Sequence, residues 1–206
     1  MPVIGLLRHF PTEWNARGLL QGRSDQPLSA DSRAALARLR LPPAWRAARV
    51  VSSPLARARQ TAEALSETGP PRLDPDLVEM DFGAWEGCAG AALLADPLSG
   101  YRPVEEWGWD FAPPGGETPR AMARRLAPAL ARLAAEAAEA PRLVVAHRGV
   151  MRCILALASG WPYRGPEPFR IKRAAVHPVT LADDGRPLAF GAPVKLTPRL
   201  APEAGA

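Results

Sequence analysis

The chain has 206 residues, with 26 basic against 21 acidic side chains, a formal net charge of +5 at pH 7 and two cysteines. This length is best matched by one domain spanning residues 1–206, although two very small domains are an alternative. The basic side chains are mostly arginines scattered among alanine, leucine and proline, which argues against nucleic-acid binding. Arginine also recognises phosphate and carboxylate, so the charge admits a small anionic substrate.

Cys88 and Cys153 are too few and too far apart for a disulfide framework or a zinc site, and we expect both to be small buried thiols. The N-terminus lacks the pattern of a signal peptide, and no apolar run approaches the roughly 18 residues of a membrane span. The sequence therefore predicts a cytoplasmic enzyme with no membrane partner. Its oligomeric state is left open, with a homodimer as one possibility.

Short apolar runs predict the strands. Residues 3–7, 48–52 and 143–146 have the length and composition of buried strands, and the segments 174–181 and 188–196 are expected to supply the last ones. Strands that alternate with helices predict an α/β fold. The expected architecture is a three-layer α/β/α sandwich with a mostly parallel central sheet.

Helices are predicted in residues 29–41, 53–66, 118–140 and 150–159. The second and third begin with a Ser or Thr followed by proline, which is a common pairing of a capping residue with the first helical position. Gly160 follows the last helix and is expected to end it.

The other segments are less regular. Residues 69–75 are expected to be a connector, and residues 77–85 an edge strand or an extended loop. Residues 88–116 suggest either an ordered loop or lid over a site or solvent-facing irregular structure. Residues 198–206 form a tail rich in proline and alanine that we expect to fray.

Each of the first three apolar strands is followed by residues suited to phosphate chemistry. Arg8 and His9 come at the end of the first strand, Arg57 lies in the first turn after the second, and His147 follows the third. Ligands bind at the carboxyl ends of the strands in open α/β sheets. The sequence therefore predicts that these four side chains lie together at the carboxyl edge of the sheet, which forms the rim of the site.

Several segments resemble, in the same order, the motifs of the histidine phosphatase superfamily, also called phosphoglycerate mutase-like. The first contains Arg-His, then Thr, then Trp-Asn, and the second motif reads Ser-Ser-Pro-Leu-Ala-Arg-Ala-Arg-Gln-Thr-Ala. The matching segments are 8–15, 21–28, 52–62, 77–87, 114–117 and 145–149. The sequence of segment 79–87 is especially similar to that of α-ribazole phosphatase-like members.

The resemblance implies a role for each matching residue. His9 would be the nucleophile that forms a phosphohistidine, and Glu79 would be the general acid. The residues that would surround the phosphoryl oxygens are Arg8, Asn15, Arg57 and His147. This chemistry needs neither a metal nor a cofactor, and its partner is a small phosphorylated substrate.

Two residues depart from the opening motif. Phe10 stands where the family has glycine, and Pro11 replaces a residue that is commonly acidic or an amide. If that backbone needs a conformation that only glycine tolerates, Phe10 would tilt His9 away from in-line geometry. Otherwise Phe10 packs beneath the site and Pro11 rigidifies the turn. His177 matches no motif position, and we expect it to be structural.

Three functions remain open at this point. The leading hypothesis is a metal-independent phosphomonoesterase, favoured because Met80 and Asp81 stand where phosphoglycerate mutases have Arg-His. The second is a phosphoglycerate mutase-type phosphotransferase that uses the same phosphohistidine. The third is a phosphate-ligand binding protein weakened in catalysis by Phe10 and Pro11.

Overall fold

A computed structural model describes residues 1–199, and residues 200–206 lie outside the described part. The strands are β1 (Val3–Arg8), β2 (Leu39–Arg40), β3 (Arg49–Ser52), β4 (Arg72–Leu73), β5 (Arg142–Ala146), β6 (Ala175–Leu181), β7 (Pro187–Phe190), β8 (Val194–Lys195) and β9 (Thr197–Pro198). The helices are α1 (Glu13–Ala16), α2 (Ala30–Ala37), α3 (Ala56–Leu65), α4 (Gly90–Ala95), α5 (Pro119–Ala137) and α6 (Arg148–Ser159). Short 3-10 turns lie at Pro43–Trp45, Pro75–Leu77, Gly83–Trp85, Pro97–Ser99 and Val104–Glu106.

The main sheet has the strand order β4-β3-β5-β1-β6-β7, and β8 pairs with β6. Strands β4, β3, β5 and β1 are parallel, whereas β6 runs antiparallel to β1 and to its other neighbours. The separate pair of β2 and β9 is antiparallel. The predicted α/β fold with a central parallel sheet is confirmed, with antiparallel strands added at one edge.

Alternation along β1 divides the core into two halves, because successive side chains of a strand point to opposite faces. Ile4 and Leu6 pack in one apolar cluster with residues of α5 and α6. Leu7 packs in the other, with residues of α2 and α3. Helices therefore cover both faces of the sheet, as the predicted three-layer sandwich requires.

Two helix ends follow the predicted local chemistry. The Thr118 side chain accepts the Ala121 N–H at the start of α5, with proline at the first helical position. Gly160 ends α6 with φ of 73°, in the left-handed region that glycine adopts at little cost.

Two predictions of local structure are wrong, and one pair of alternatives is decided. Helix α3 begins at Ala56, after Leu55, because the Ser53 hydroxyl engages His147 and the Leu55 N–H and does not cap a helix. Leu39 leaves the first helix and pairs with Pro198 between β2 and β9. Residues 77–85 form a loop with 3-10 turns and no strand, so only the extended-loop alternative survives.

The structure also defines the connector, the last strands, the tail and the two cysteines. The connector 69–75 contains the edge strand β4, and the segment 188–196 holds β8 as well as most of β7. Of the tail 198–206, Pro198 pairs with β2, and residues 200–206 lie outside the described part. Cys153 is buried as expected, whereas Cys88 is partly exposed. The helices within residues 1–199 are all too short or too polar to cross a membrane.

Candidate active site

His9 lies one residue beyond β1, at the carboxyl edge of the sheet. Its main-chain N–H donates to the Ala146 carbonyl of β5 at 2.9 Å, which extends the parallel ladder by one bond. The ring Nδ1 lies 2.6 Å from the Phe10 carbonyl. Because a carbonyl only accepts, Nδ1 carries the proton, and the lone pair of Nε2 is left available.

The surroundings keep the His9 imidazole neutral. The side chain is 4% exposed, and burial together with the charges of Arg57 and Arg8 lowers its pKa well below the ordinary 6.5. A neutral imidazole with a defined tautomer can act as a nucleophile at neutral pH. His9 is therefore in the chemical state that attack on an electrophile requires.

Arg57 is completely buried in the first turn of α3 and is anchored by the loop that precedes α2. Its guanidinium donates to the Ser24 carbonyl at 3.0 Å and to the Gly22 carbonyl at 2.6 Å. Glu86 holds the same loop by accepting the N–H groups of Arg23 and Ser24, each at 2.7 Å. The Arg57 Nε has no hydrogen-bond partner within residues 1–199.

Arg8 is the last residue of β1 and also carries a buried Nε without a partner in the described chain. Burial and the neighbouring charges of Arg173 and Arg148 lower the pKa of Arg8 to about 9. The side chain is thus still charged at neutral pH, although the other cations nearby disfavour its positive charge. An anion bound at this point relieves that repulsion.

His147 caps the start of α6, with its ring centroid 5.2 Å from that of His9. Its Nε2 lies 2.8 Å from the Ser53 hydroxyl, whereas its buried Nδ1 has no partner in the described residues. Burial, then the charge of Arg57, lowers the pKa of His147 well below 6.5. Ser53 belongs to a matching motif, but its contact with His147 was not predicted, because only the fold brings the two together.

Glu79 is buried in the loop after the Pro75–Leu77 turn, and its carboxylate is fixed by main-chain donors. Oε1 accepts the N–H groups of Met80 at 2.8 Å and Val150 at 3.1 Å, and Oε2 accepts that of Gly149 at 2.9 Å. Two of these donors belong to the first turn of α6, which follows His147 directly. The carboxylate is therefore held next to the imidazole pair.

Asn15 lies in the short helix α1, where its Oδ1 accepts the Thr12 N–H at 3.2 Å. The Thr12 hydroxyl donates to Gln21 Oε1 at 2.9 Å, and the buried Gln21 Nε2 lacks a partner in the part that the structure describes. Gln21 is a further candidate donor that lies in a matching motif, although the sequence predicted no role for it. The sequence feature that could have indicated this role is the closeness of Gln21 to Asn15 along the chain.

Several of these side chains line one end of a cavity of about 470 Å³. Its polar end is lined by Arg8, His9, Asn15, Gln21 and Glu79, with Arg148 and Arg152 along one side. Its outer wall includes Leu19, Leu20, Phe82, Leu94, Tyr101 and Trp107, so part of the segment 88–116 does lie over the site. Of the six residues that the sequence predicted, Arg8, His9, Asn15 and Glu79 line this cavity. His147 lies behind the lining, against the His9 ring, and the buried Arg57 is close enough for its charge to act on His9.

Phe10 does not distort the site. Outside glycine, the described residues with positive φ are Tyr163 and Ala174, so the Phe10 backbone is ordinary. Its side chain is 6% exposed and packs with Leu7 and residues of α3. Of the two alternatives left open for this residue, the structure supports packing beneath the site.

His177 lies in β6, and its Nε2 accepts the Lys172 N–H at 3.2 Å. This contact is consistent with the structural role expected for it. Within residues 1–199, no cluster of three or more His, Cys, Asp and Glu side chains is arranged to hold a metal ion. Beside the Glu79 carboxylate, the polar end of the cavity instead presents cationic and neutral donors, which suit a tetrahedral oxyanion.

Comparison with known proteins gives the family. Residues 4–190 match the histidine phosphatase superfamily (branch 1). A protein of Proteus mirabilis named "Probable phosphoglycerate mutase GpmB" is 29% identical over 180 residues, covering 85% of this chain and 83% of its own. The crystal structure of TTHB049 from Thermus thermophilus is 32% identical, with a TM-score of 0.70 over 95% of this chain and 99% of that one.

A third relative is a candidate alpha-ribazole-5'-P phosphatase of Escherichia coli K-12, whose structure is 25% identical with a TM-score of 0.71. The likeness covers 97% of this chain and 95% of that one. Members of this group are enzymes that act as phosphatases or mutases. The match over most of the sequence and the assembled site agree, and the chain belongs to the histidine phosphatase superfamily, branch 1.

Proposed function

We propose that the protein is a metal-independent phosphomonoesterase that hydrolyses a small phosphorylated metabolite through a phosphohistidine on His9. One observation carries this proposal: three buried nitrogens that lack a partner within residues 1–199 belong to residues around His9, namely Arg8 Nε, Arg57 Nε and His147 Nδ1. Buried donors are nearly always satisfied, so such a group calls for a ligand that accepts. A phosphoryl group supplies the missing acceptors.

In the first step, His9 Nε2 attacks phosphorus and the bond from phosphorus to the ester oxygen breaks. Arg8, Arg57 and His147 hold the phosphoryl oxygens, so the protein contributes mainly positioning and electrostatic stabilisation. The Ser53 hydroxyl donates to His147 Nε2, which leaves the proton on Nδ1, the atom that has no partner within residues 1–199. The Glu79 carboxyl must carry a proton when substrate binds, and it gives that proton to the departing oxygen.

In the second step, water attacks the phosphohistidine while Glu79 accepts its proton. The bond from phosphorus to nitrogen breaks, and His9 returns to its neutral state with inorganic phosphate released. Asn15 and Gln21 support both steps as amide donors at the polar end of the cavity. Every proton that the reaction moves is accounted for by Glu79, so the scheme needs no metal-bound water.

The cavity supports a substrate with an apolar leaving group. Its volume of about 470 Å³ far exceeds what a phosphoryl group fills. Much of the outer wall is formed by aliphatic and aromatic side chains, with Glu105, Arg148 and Arg152 also in the lining. Leu94 on α4 is 62% exposed although it borders this cavity. An apolar leaving group that covers it gains the free energy of removing that surface from water.

A phosphoglycerate mutase-type phosphotransferase is the second candidate, favoured by the name of the Proteus mirabilis relative. Against it, the two residues after Glu79 offer the cavity no cation. Met80 is 2% exposed in the core, and Asp81 accepts the Gly83 N–H. Neither can bind a second anionic group of a phosphoglycerate, and Arg148 and Arg152 along the side of the cavity are already paired with Glu167. Hydrolysis is therefore the better-supported outcome.

The test is turnover of p-nitrophenyl phosphate in the presence of chelator, with His9→Ala as the inactive control. Arg57→Gln should cost at least about tenfold in kcat/KM, since a hydrogen bond to a charged group is worth roughly 1.5–3 kcal/mol. Arg59→Gln is the matched control, because Arg59 is partly exposed on the same helix and pairs with Glu63.

Turnover in wild type that does not exceed His9→Ala would overturn the proposal. A parallel assay follows 3-phosphoglycerate by NMR. Phosphate release faster than formation of the 2-isomer supports the phosphatase. The reverse order supports the mutase.

A further inference from the structure

The pairing register of β1 with β6 explains why Arg173 lies beside His9. In the antiparallel pairing of β1 with β6, Leu7 lies opposite Val176. Two further steps along this register bring Ala174 level with His9. The chain leaves the sheet at that point, because Ala174 has φ of 49°, in the left-handed region that is unfavourable for alanine.

The Arg173 side chain reaches the main chain of His9. Its Nη1 donates to the His9 carbonyl oxygen at 3.1 Å. That carbonyl has no further donor from the parallel ladder, because β5 ends at Ala146 and the chain turns into α6. A buried carbonyl without a donor costs free energy, so the guanidinium satisfies a group that the sheet leaves unpaired.

With this bond, His9 is held at three points. Its N–H donates to Ala146, its carbonyl accepts from Arg173, and its ring Nδ1 donates to the Phe10 carbonyl. The first two fix the peptide planes on either side of Cα, and the third fixes the ring. The direction of the Nε2 lone pair therefore depends on the Arg173 contact.

Arg173 is itself held on both sides. The preceding residue donates its N–H to His177 Nε2 at 3.2 Å, and the carbonyl of Ala174 accepts the Leu196 N–H at 2.9 Å. Within residues 1–199, no carboxylate lies within ion-pair distance of the Arg173 guanidinium. A partly buried cation without a counter-ion does not favour stability, which points to a role at the site.

The charged and polar groups that face His9 come from several elements: Arg8 of β1, Arg57 of α3, the Glu79 carboxylate across the cavity, the His147 imidazole at the start of α6, the Phe10 carbonyl and Arg173. Burial and the charges of Arg57, Arg8 and Arg173 lower the pKa of His9, and the bond to Phe10 raises it. Arg173 thus adds a positive charge that favours the neutral imidazole.

Arg173 is not among the residues of the active-site cavity. It borders a neighbouring cavity together with Phe10, Pro11 and Thr12. The side chain therefore acts on the nucleophile from behind and does not itself contact substrate.

We propose that Arg173 is a positioning residue, whose guanidinium holds the His9 carbonyl and thereby aims Nε2 at the phosphorus. The inference rests on the proposed function, since it assigns Arg173 to the nucleophile of that reaction. No motif contains this residue, and only the fold places it beside His9.

The experiment compares Arg173→Met, which removes hydrogen bond and charge, with Arg173→Lys, which keeps the charge. Arg170→Gln is the matched control, because Arg170 is exposed on the same segment. With p-nitrophenyl phosphate, Arg173→Met should lower kcat about tenfold while KM changes little. Arg173→Lys should recover part of kcat, and Arg170→Gln should behave as wild type.

A second readout needs no turnover. The chain has three histidines, so NMR titration of the ring protons is readily assigned with His9→Ala. The pKa of His9 should rise in Arg173→Met and return toward the wild-type value in Arg173→Lys. A rise accompanied by the loss in kcat supports the inference.

An Arg173→Met protein with the kcat and the His9 titration of wild type would overturn it, even if the phosphatase proposal holds. If wild type itself has no turnover, the proposed function fails and the titration alone decides about Arg173. If Arg173→Met does not fold, Arg173→Lys takes its place. A lower kcat at unchanged melting temperature then supports the inference, and a wild-type kcat overturns it.

Discussion

Replacing Gly149 by alanine should displace Glu79 without removing any polar group. A Cβ at Gly149 would lie within 3.0 Å of Glu79 Oε1, at 3.1 Å from its Cδ and 3.4 Å from Oε2, so the carboxylate has to move. It then gives up the bonds from the Gly149 and Val150 N–H groups, at 2.9 and 3.1 Å. Because bonds to a charged group are worth roughly 1.5–3 kcal/mol each, losing both should lower the free energy of unfolding by about 3–6 kcal/mol.

The effect of Gly149→Ala on activity depends on the leaving group if Glu79 is the general acid. An alkyl phosphate needs a proton on its leaving oxygen far more than p-nitrophenyl phosphate does. General acid catalysis contributes about 10²–10⁴-fold, so kcat for the alkyl ester should fall at least about 100-fold, and less for the aryl ester. Gly191→Ala is the control, since the nearest atoms there belong to Pro178 at 3.7 Å. Equal losses on both esters would refute this role of Glu79.

Ser53→Ala removes the hydroxyl 2.8 Å from His147 Nε2 and should lower kcat about tenfold with little change in melting temperature; a wild-type kcat would argue against the assigned tautomer. The buried His9 and His147 have pKa values below the ordinary 6.5, so the unfolded chain binds protons first as pH falls. Stability should therefore be fully present above about pH 6.5 and fall below it, by up to about 1.4 kcal/mol per pH unit for each histidine, and urea midpoints that are flat from about pH 5 to 8 would contradict this. Burial raises the pKa of Cys153 to about 12, so a thiol reagent should label Cys88 and spare Cys153 in the folded protein, as mass spectrometry can show.

The sheet was predictable because its strands are short apolar runs bounded by polar and turn-forming residues. Residues 3–7 and 143–146 correspond closely to β1 and β5, and Thr118 begins α5 as its side chain indicated. The rim was predictable for the same reason. Once parallel strands are placed, the residues at their carboxyl ends must meet. Asn15 and Glu79 came instead from the resemblance to the family motifs.

The start of α3 was not predictable from Ser53 and Pro54, because a tertiary contact competed with local propensity. The Ser53 hydroxyl is engaged by His147, which lies 94 positions further along the chain. A sequence pattern records which caps are available and not which partners a side chain will find in the fold.

Arg173 was missed for a related reason. Its bond to the His9 carbonyl spans 164 positions, and it depends on the left-handed backbone at Ala174 and on the end of β5. None of these three features produces a pattern that is visible within a short stretch of sequence. The apolar wall over the cavity was likewise hard to place, since it is made of short turns whose order comes from aromatic contacts such as that between Trp85 and Tyr101.

The central claim is that phosphate passes through His9, and trapping the intermediate tests it most directly. Protein mixed with a ³²P-labelled phosphomonoester is quenched in alkali, where phosphohistidine survives, and then digested for peptide mapping. We predict label on the peptide that contains His9, none in His9→Ala, and loss of the label when the reaction is allowed to complete before the quench. Sustained phosphate release with no label on His9, or with label on another residue, would contradict the account.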